Sequence, residues 1–295
     1  MKFDRKIAMC MAVMSLLCAT WACKKDNNNN NNGNGGNGGN PPPPTVAARH
    51  DIRLATDEHL GSILTDSNGK TLYFFSVDAN GSSGCTGNCL TAWPVFYRSA
   101  PTLDSGLNAA DFGTITRGDG ASQTTYKGWP LYYYQPDEHA GDVKGEAVGK
   151  VWYVAKPDYT VMLSNTQLVG NDGVQYDSTL KAGTGVTQYI TDPYGRTLYK
   201  FSKDAFRKNN FTKSDFSNNG VWPIDSVARI LRVPSIMDKA QFDTLMVFGK
   251  PQLVYKGWPL YYFGSDAARG QTRGVSVPTP GIWPYVNAYS AAAAQ

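Results

Sequence analysis

The sequence predicts an all-β protein made of tandem antiparallel repeats, four quasi-equivalent units in all. Three observations predict it. The chain of 295 residues repeats itself: LTDSNGKTLYFFSVD at 64–78 returns as ITDPYGRTLYKFSKD at 190–204, and YKGWPLYYY at 126–134 as YKGWPLYYF at 255–263. Its composition favours strands and turns, with 12% aromatic residues, 30 Gly and 17 Pro. Finally, Leu-Tyr-x-aromatic-x-x-Asp occurs four times, at Tyr73–Asp78, Tyr132–Asp137, Tyr199–Asp204 and Tyr261–Asp266. Four copies allow pseudo-fourfold, propeller-like packing or two packed sheet domains.

Residues 1–22 read as a secretory signal peptide. Lys2, Arg5 and Lys6 precede an apolar run, Ile7 to Ala22, that is short for a membrane span. Cleavage could leave Cys23 a free thiol, or Cys23 could be the lipidated first residue of a lipoprotein. Cysteine arithmetic separates the two. Cys10 and Cys18 leave with the leader and Cys85 can pair with Cys89, so Cys23 is the odd one. A lipid thioether removes a thiol that an oxidising compartment would attack. The expectation is a lipid anchor at Cys23, although Thr20 and Trp21 depart from the usual lipobox residues. Lys24, in place of the aspartate associated with inner-membrane retention, favours the outer membrane. Residues 23–48 then read as a disordered Asn/Gly/Pro-rich tether, since they offer nothing to bury.

The body divides into a first β repeat unit, 49–165, and a second, 166–295. Asn68-Gly69, between two strand-like runs, predicts a hairpin. In the strand that follows, Tyr73 and Phe75 share one face; Lys200 replaces Phe74 in the second half, so Phe74's face is expected to meet water. Residues 238–247, with apolar side chains at Ala240, Phe242, Leu245 and Met246, are expected to form a short helix.

Charge excludes one class of partner. Residues 1–26 hold five Lys/Arg against two Asp, which leaves the remainder at +1 of the total +4. A near-neutral body does not bind nucleic acid in bulk. The repeat also sorts residues: those matched in both halves build the fold, and polar residues found in one half are candidates for function. Trp93/Trp222, Trp129/Trp258 and Trp152/Trp283 are matched and read as core, the other use being a platform for a sugar. Asp78, Asp137, Asp204 and Asp266 are matched and read as turn-forming carboxylates, with ligand or metal binding as the other use. His139, with Asp137, Glu138 and Asp142, occurs in the first half only and is read as a solvated loop or a weak metal site. Cys85 and Cys89 enclose Thr86-Gly87-Asn88 and, in an exported chain, are expected to form a disulfide. No cofactor is expected; a metal would need His50, His59 or His139 beside these groups. Nucleophile-elbow, zincin, phosphate-loop and dinucleotide fingerprints are missing from the sequence.

The Tyr-x-aromatic-x-x-Asp motifs, Cys85-x3-Cys89 before Trp93-Pro94, and Tyr126–Tyr132 together resemble bacterial lipoproteins that carry a secreted repeat of unknown function. The resemblance covers most of 60–155 and, less faithfully, 188–285, where Asn218 stands in a cysteine's place. It implies an exported, envelope-bound protein and leaves its activity undetermined. The function expected is a non-catalytic binding or structural role at the cell envelope, with the membrane as partner through Cys23 and an envelope protein, glycan or small ligand as the species bound. The alternative is a periplasmic redox or metal-handling module using the Cys85/Cys89 loop. An enzyme acting on glycans ranks third.

Overall fold

The computed structural model describes residues 50–295; the expected leader, Cys23 and the tether lie outside the described residues. Ile52–Asp57 (β1) and Gly61–Asp66 (β2) pair as a hairpin, Ile52 opposite Asp66 and Asp57 opposite Gly61. Asp57 shapes its turn by accepting the N–H groups of His59 and Leu60 at 2.9 and 2.6 Å. The next reversal falls at Asn68-Gly69. Asp66 Oδ1 accepts the N–H groups of Asn68 and Lys70, Gly69 takes a φ of +81°, and Thr71 bridges back to Thr65. Glycine adopts that φ without the Cβ clash other residues would suffer.

The chain then enters a five-stranded sheet. Its members are Tyr73–Phe75 (β3), Phe112–Thr116 (β4), Ser122–Tyr126 (β5), Trp129–Tyr132 (β6) and Trp152–Val154 (β7), in the order β4-β5-β6-β3-β7. The second half repeats the plan. Met162–Val169 (β8), Gln175–Tyr176 (β9) and Val186–Thr191 (β10) form a three-stranded sheet in the order β10-β8-β9. Asp192 then accepts the N–H groups of Tyr194 and Arg196, as Asp66 does for its own turn. Tyr199–Lys200 (β11), Phe242–Val247 (β12), Lys250–Tyr255 (β13) and Trp258–Tyr261 (β14) make a four-stranded sheet in the order β11-β14-β13-β12. The protein is all-β. Its strands pair antiparallel in four packed sheets, and among the described residues none closes into a barrel.

Two local expectations are corrected. Residues 238–247 do not form a helix. Asp238 caps a single 3₁₀ turn, Lys239–Gln241, by accepting the Ala240 N–H at 2.9 Å, and the chain then runs on as β12. The reason lies just beyond the segment. Phe248 and Gly249 both take positive φ, 44° and 85°, which closes a two-residue hairpin and sets Phe242–Val247 against Lys250–Tyr255. Cross-strand pairing overrides the short-range spacing of apolar residues.

Nor does the Phe74 face meet water. Phe74 is 1% exposed and packs on Trp129, Tyr153 and Tyr159, because β3 is covered on both faces. Its counterpart Lys200 lies flat instead, with its ammonium 3.9 Å from the centre of the Trp258 ring. There an aromatic face and the apolar stem replace the missing phenyl group. The same cluster joins the halves: Phe74, Trp129 and Tyr153 pack with Leu198, Leu253, Leu260 and Val286.

Candidate functional site

The four motif copies act in crossed pairs. Each motif tyrosine donates its hydroxyl proton to the aspartate of a different copy. In the first half Tyr73 donates to Asp137 and Tyr132 to Asp78, each at 2.6 Å. In the second, Tyr199 donates to Asp266 at 2.6 Å and Tyr261 to Asp204 at 2.7 Å. The second oxygen of each carboxylate accepts a backbone N–H of the following loop, from Lys144, Gly84, Arg273 and Asn210 respectively. So the turn reading was half of the role: the carboxylate folds its loop and also anchors the partner copy's tyrosine.

Between the crossed pairs stands a column of four rings. In the first half it runs Phe75, Trp152, Trp93, Tyr134, with successive ring centres 4.0, 3.8 and 4.2 Å apart. In the second it runs Phe201, Trp283, Trp222, Phe263, at 4.4, 3.8 and 4.6 Å. Tyr73 and Tyr132 meet their column edge-on, as Tyr199 and Tyr261 meet theirs. Matched glycines make room: a Cβ on Gly145 would sit 2.7 Å from the Tyr73 ring, and one on Gly274 2.7 Å from Tyr199. The tryptophans of the columns are 2–5% exposed and build the core. Trp129 is buried as well, whereas its counterpart Trp258 is half-buried.

Burial sets the electrostatics. Desolvation pushes Asp78, Asp204 and Asp266 each up to about 6 and raises Asp137 too, against the lowering effect of the tyrosine hydrogen bonds. The tyrosines move the same way from their own ordinary value, driven first by burial. At neutral pH the tyrosines keep their protons, and the aspartates raised to about 6 are mostly ionised and serve as acceptors.

The structure does not bring the candidate ligand residues together. Each of the four aspartates is bound by its own tyrosine and loop. His139 is an exposed side chain 3.6 Å from Asp142. Among the described residues no group of three or more His, Cys, Asp or Glu side chains is placed to hold a metal.

Cys85 and Cys89 are joined by a disulfide, with Cα atoms 5.4 Å apart. Gly87 and the short helix Cys89–Ala92 (α1) fold the loop back on itself. Cys85 is fully buried beside Trp93, and the buried Arg117 guanidinium donates to its carbonyl at 2.9 Å and to Gln123 at 2.8 Å. The second half reaches the same shape without sulfur. The Asn210 N–H bonds Asp204 as the Gly84 N–H bonds Asp78, so Phe211 occupies the place of Cys85. Phe211 meets Trp283 edge-on at 4.7 Å. Asn218, in the other cysteine's place, donates to the Phe211 carbonyl at 2.7 Å and accepts the Lys213 N–H at 3.0 Å. An amide clamp replaces the disulfide.

Three stretches, 55–97, 113–156 and 248–287, match the family described as a secreted repeat of unknown function. The chain carries three copies of this secreted repeat. Secreted repeats imply an exported protein, and no helix among the described residues is long and apolar enough to cross a membrane. No curated protein and no solved structure gives a match. The three matches contain the motif copies at Tyr73, Tyr132 and Tyr261; the fourth copy, Tyr199–Asp204, lies outside them yet makes the same crossed pair.

Sequence reading missed two residues of the second half. Asp225 stands where the first half has Phe96; it is 3% exposed, accepts from Tyr262 at 2.9 Å, and has its other oxygen unpaired. Burial pushes it up to about 7. Arg269 stands where the first half has Ala140. It reaches across to the Ala79 and Lys127 carbonyls at 2.8 and 3.1 Å and lies over the Trp129 ring. Both are polar residues present in one half only, the signal that would have found them.

Proposed function

We propose that the chain is an exported lipoprotein, anchored through lipid on Cys23 at the outer membrane, with a non-catalytic binding or structural role at the cell envelope. The observation that carries this reading is the use made of the reactive-looking residues. The motif tyrosines and aspartates are tied to one another in the interior, and the tryptophans are stacked beneath them. Side chains held this way stabilise a scaffold and leave recognition to loops. The loop closed by Cys85–Cys89 carries a disulfide where the second half uses an amide clamp, and it is the surface proposed to face an envelope protein, a glycan or a small ligand.

The anchor is tested by growth with a labelled fatty acid and fractionation of the membranes. The expected result is label on the wild-type chain in the outer-membrane fraction and none on Cys23→Ala. Equal labelling of the two would overturn the anchor. For the binding face, exchange of the 83–91 loop for the second half's 209–220 loop is expected to leave the fold intact and to abolish retention of the envelope component bound by the wild type.

A further inference from the structure

The two halves dock through one particular surface of the first. Trp129 donates its indole N–H to the Pro193 carbonyl at 3.0 Å, Arg269 donates to the Lys127 carbonyl, and Tyr194 donates to Asp111 at 3.2 Å. Pro193 and Tyr194 belong to the turn held by Asp192, and Gly270, next to Arg269, donates to Gly195 of that turn at 2.8 Å. The second half's turn and arginine thus sit on the Lys127-Gly128-Trp129 edge of the first.

The second half carries the same edge, Lys256-Gly257-Trp258, and among the described residues no other repeat lies on it. The segment 288–294 does. Trp258 donates its indole N–H to the Ala291 carbonyl at 2.9 Å, where Trp129 uses Pro193. Ala293 donates its N–H to the Lys256 carbonyl at 2.9 Å, where Arg269 serves Lys127. The Lys256 ammonium donates to the carbonyls of Ala288 and Ser290. An alanine-rich strap therefore meets two of the three docking groups, the indole and the lysine carbonyl, while covering less of the face than a folded repeat does. Trp258 stays half-buried, and a groove of about 620 Å³ remains between the strap, Phe206, Gln241 and Lys256.

We infer that the Trp258 edge is a repeat-docking surface, held shut by segment 288–294, and that its occupant when the strap leaves is a second copy of this chain, added head to tail. The second copy has the matching part. Its Asp66–Lys70 turn is built by the same hydrogen bonds as the 192–196 turn: Asp66 accepts from Asn68 and Lys70, and Gly141 donates to Gly69 at 2.9 Å as Gly270 does to Gly195. Asn68, Lys70 and Ala140 are exposed. That turn lacks the guanidinium, since Ala140 replaces Arg269, and the strap accordingly holds the face. A contact between two different surfaces is head to tail, so it propagates from copy to copy into an open chain or a ring. The inference rests on the binding role proposed above and deepens it. The two fail separately, because loss of labelling at Cys23 and loss of self-association are read on different variants.

The test is sedimentation of the exported chain carrying Cys23→Ser, with near-ultraviolet circular dichroism of the tryptophan columns as the check on folding. The chain with its strap is expected to be monomeric. The chain ending at Asn287 is expected to self-associate with rising concentration, Ala140→Arg in that background to tighten association roughly tenfold by restoring the arginine contact, and Trp258→Ala to abolish it. Should the shortened chain fail to fold, Ala293→Asp in the full chain displaces the strap and is read the same way. A folded, strap-free chain that stays monomeric at millimolar concentration, with Ala140→Arg present, would overturn the proposal.

Discussion

Tyr261 gives its proton to a carboxylate 57 residues away, and neither group has water to fall back on. Asp204 loses a donor in Tyr261→Phe, and the acceptor is left buried with the Asn210 N–H alone. A buried acceptor stripped of its partner costs about 1–3 kcal/mol. Tyr261→Phe is expected to lower stability by that amount in urea unfolding. Loss of the hydrogen bond should also push Asp204 further up, since that bond favours its ionised form. Adding Asp204→Asn should recover part of the loss, because a neutral amide is cheaper to leave unpaired. An unchanged unfolding midpoint in Tyr261→Phe would show that the crossed pair does not hold the copies together. The motif was visible in the sequence as a spacing; the exchange was not, because the bonded Tyr and Asp come from different copies and no spacing within one copy encodes it.

At the scale of an element, the Cys85–Cys89 loop and its sulfur-free counterpart solve one problem, the seating of a side chain against the flank of a ring column. Cys85 lies fully buried beside Trp93 in one half and Phe211 beside Trp283 in the other. Because the second half seats Phe211 with an amide clamp, the disulfide is not required by the fold. Replacing both cysteines with alanine is expected to cost on the order of 2 kcal/mol or less, the scale for closing so short a loop. Alkylation of unreduced protein followed by mass spectrometry is expected to find neither thiol labelled. A loss well above that range would mean the bond organises the whole first half. The pairing was legible from a cysteine count and the hairpin from Asn68-Gly69. The β12 strand was not, because Phe248 at positive φ is a turn signal that residue type conceals.

Across the whole molecule, buried carboxylates give the protein a pH dependence of definite sign. Burial raises Asp78, Asp204 and Asp266 to about 6 and Asp225 to about 7. A carboxyl group raised in the folded state binds its proton more tightly there than in the unfolded chain. Its stabilising contribution is fully present below the unfolded value and is lost as pH rises through the folded one. Here that window runs from about 4 to about 7. Melting temperature is therefore expected to climb as pH falls from 8 to 5. Asp142, held down to about 2 by Lys144, acts in the opposite sense and only in stronger acid. Asp225 is the decisive group, since its counterpart Phe96 shows that the site accepts an uncharged residue, and one of its oxygens has no partner. Asp225→Asn keeps an acceptor for Tyr262 and removes the titration. The variant is expected to melt higher than the wild type at pH 8, to differ little from it at pH 5, and to show a shallower slope between them. A wild-type melting temperature that is flat or falls on acidification from 8 to 5, or an Asp225→Asn slope equal to it, would sink the assignment. Scanning calorimetry at several pH values supplies both measurements.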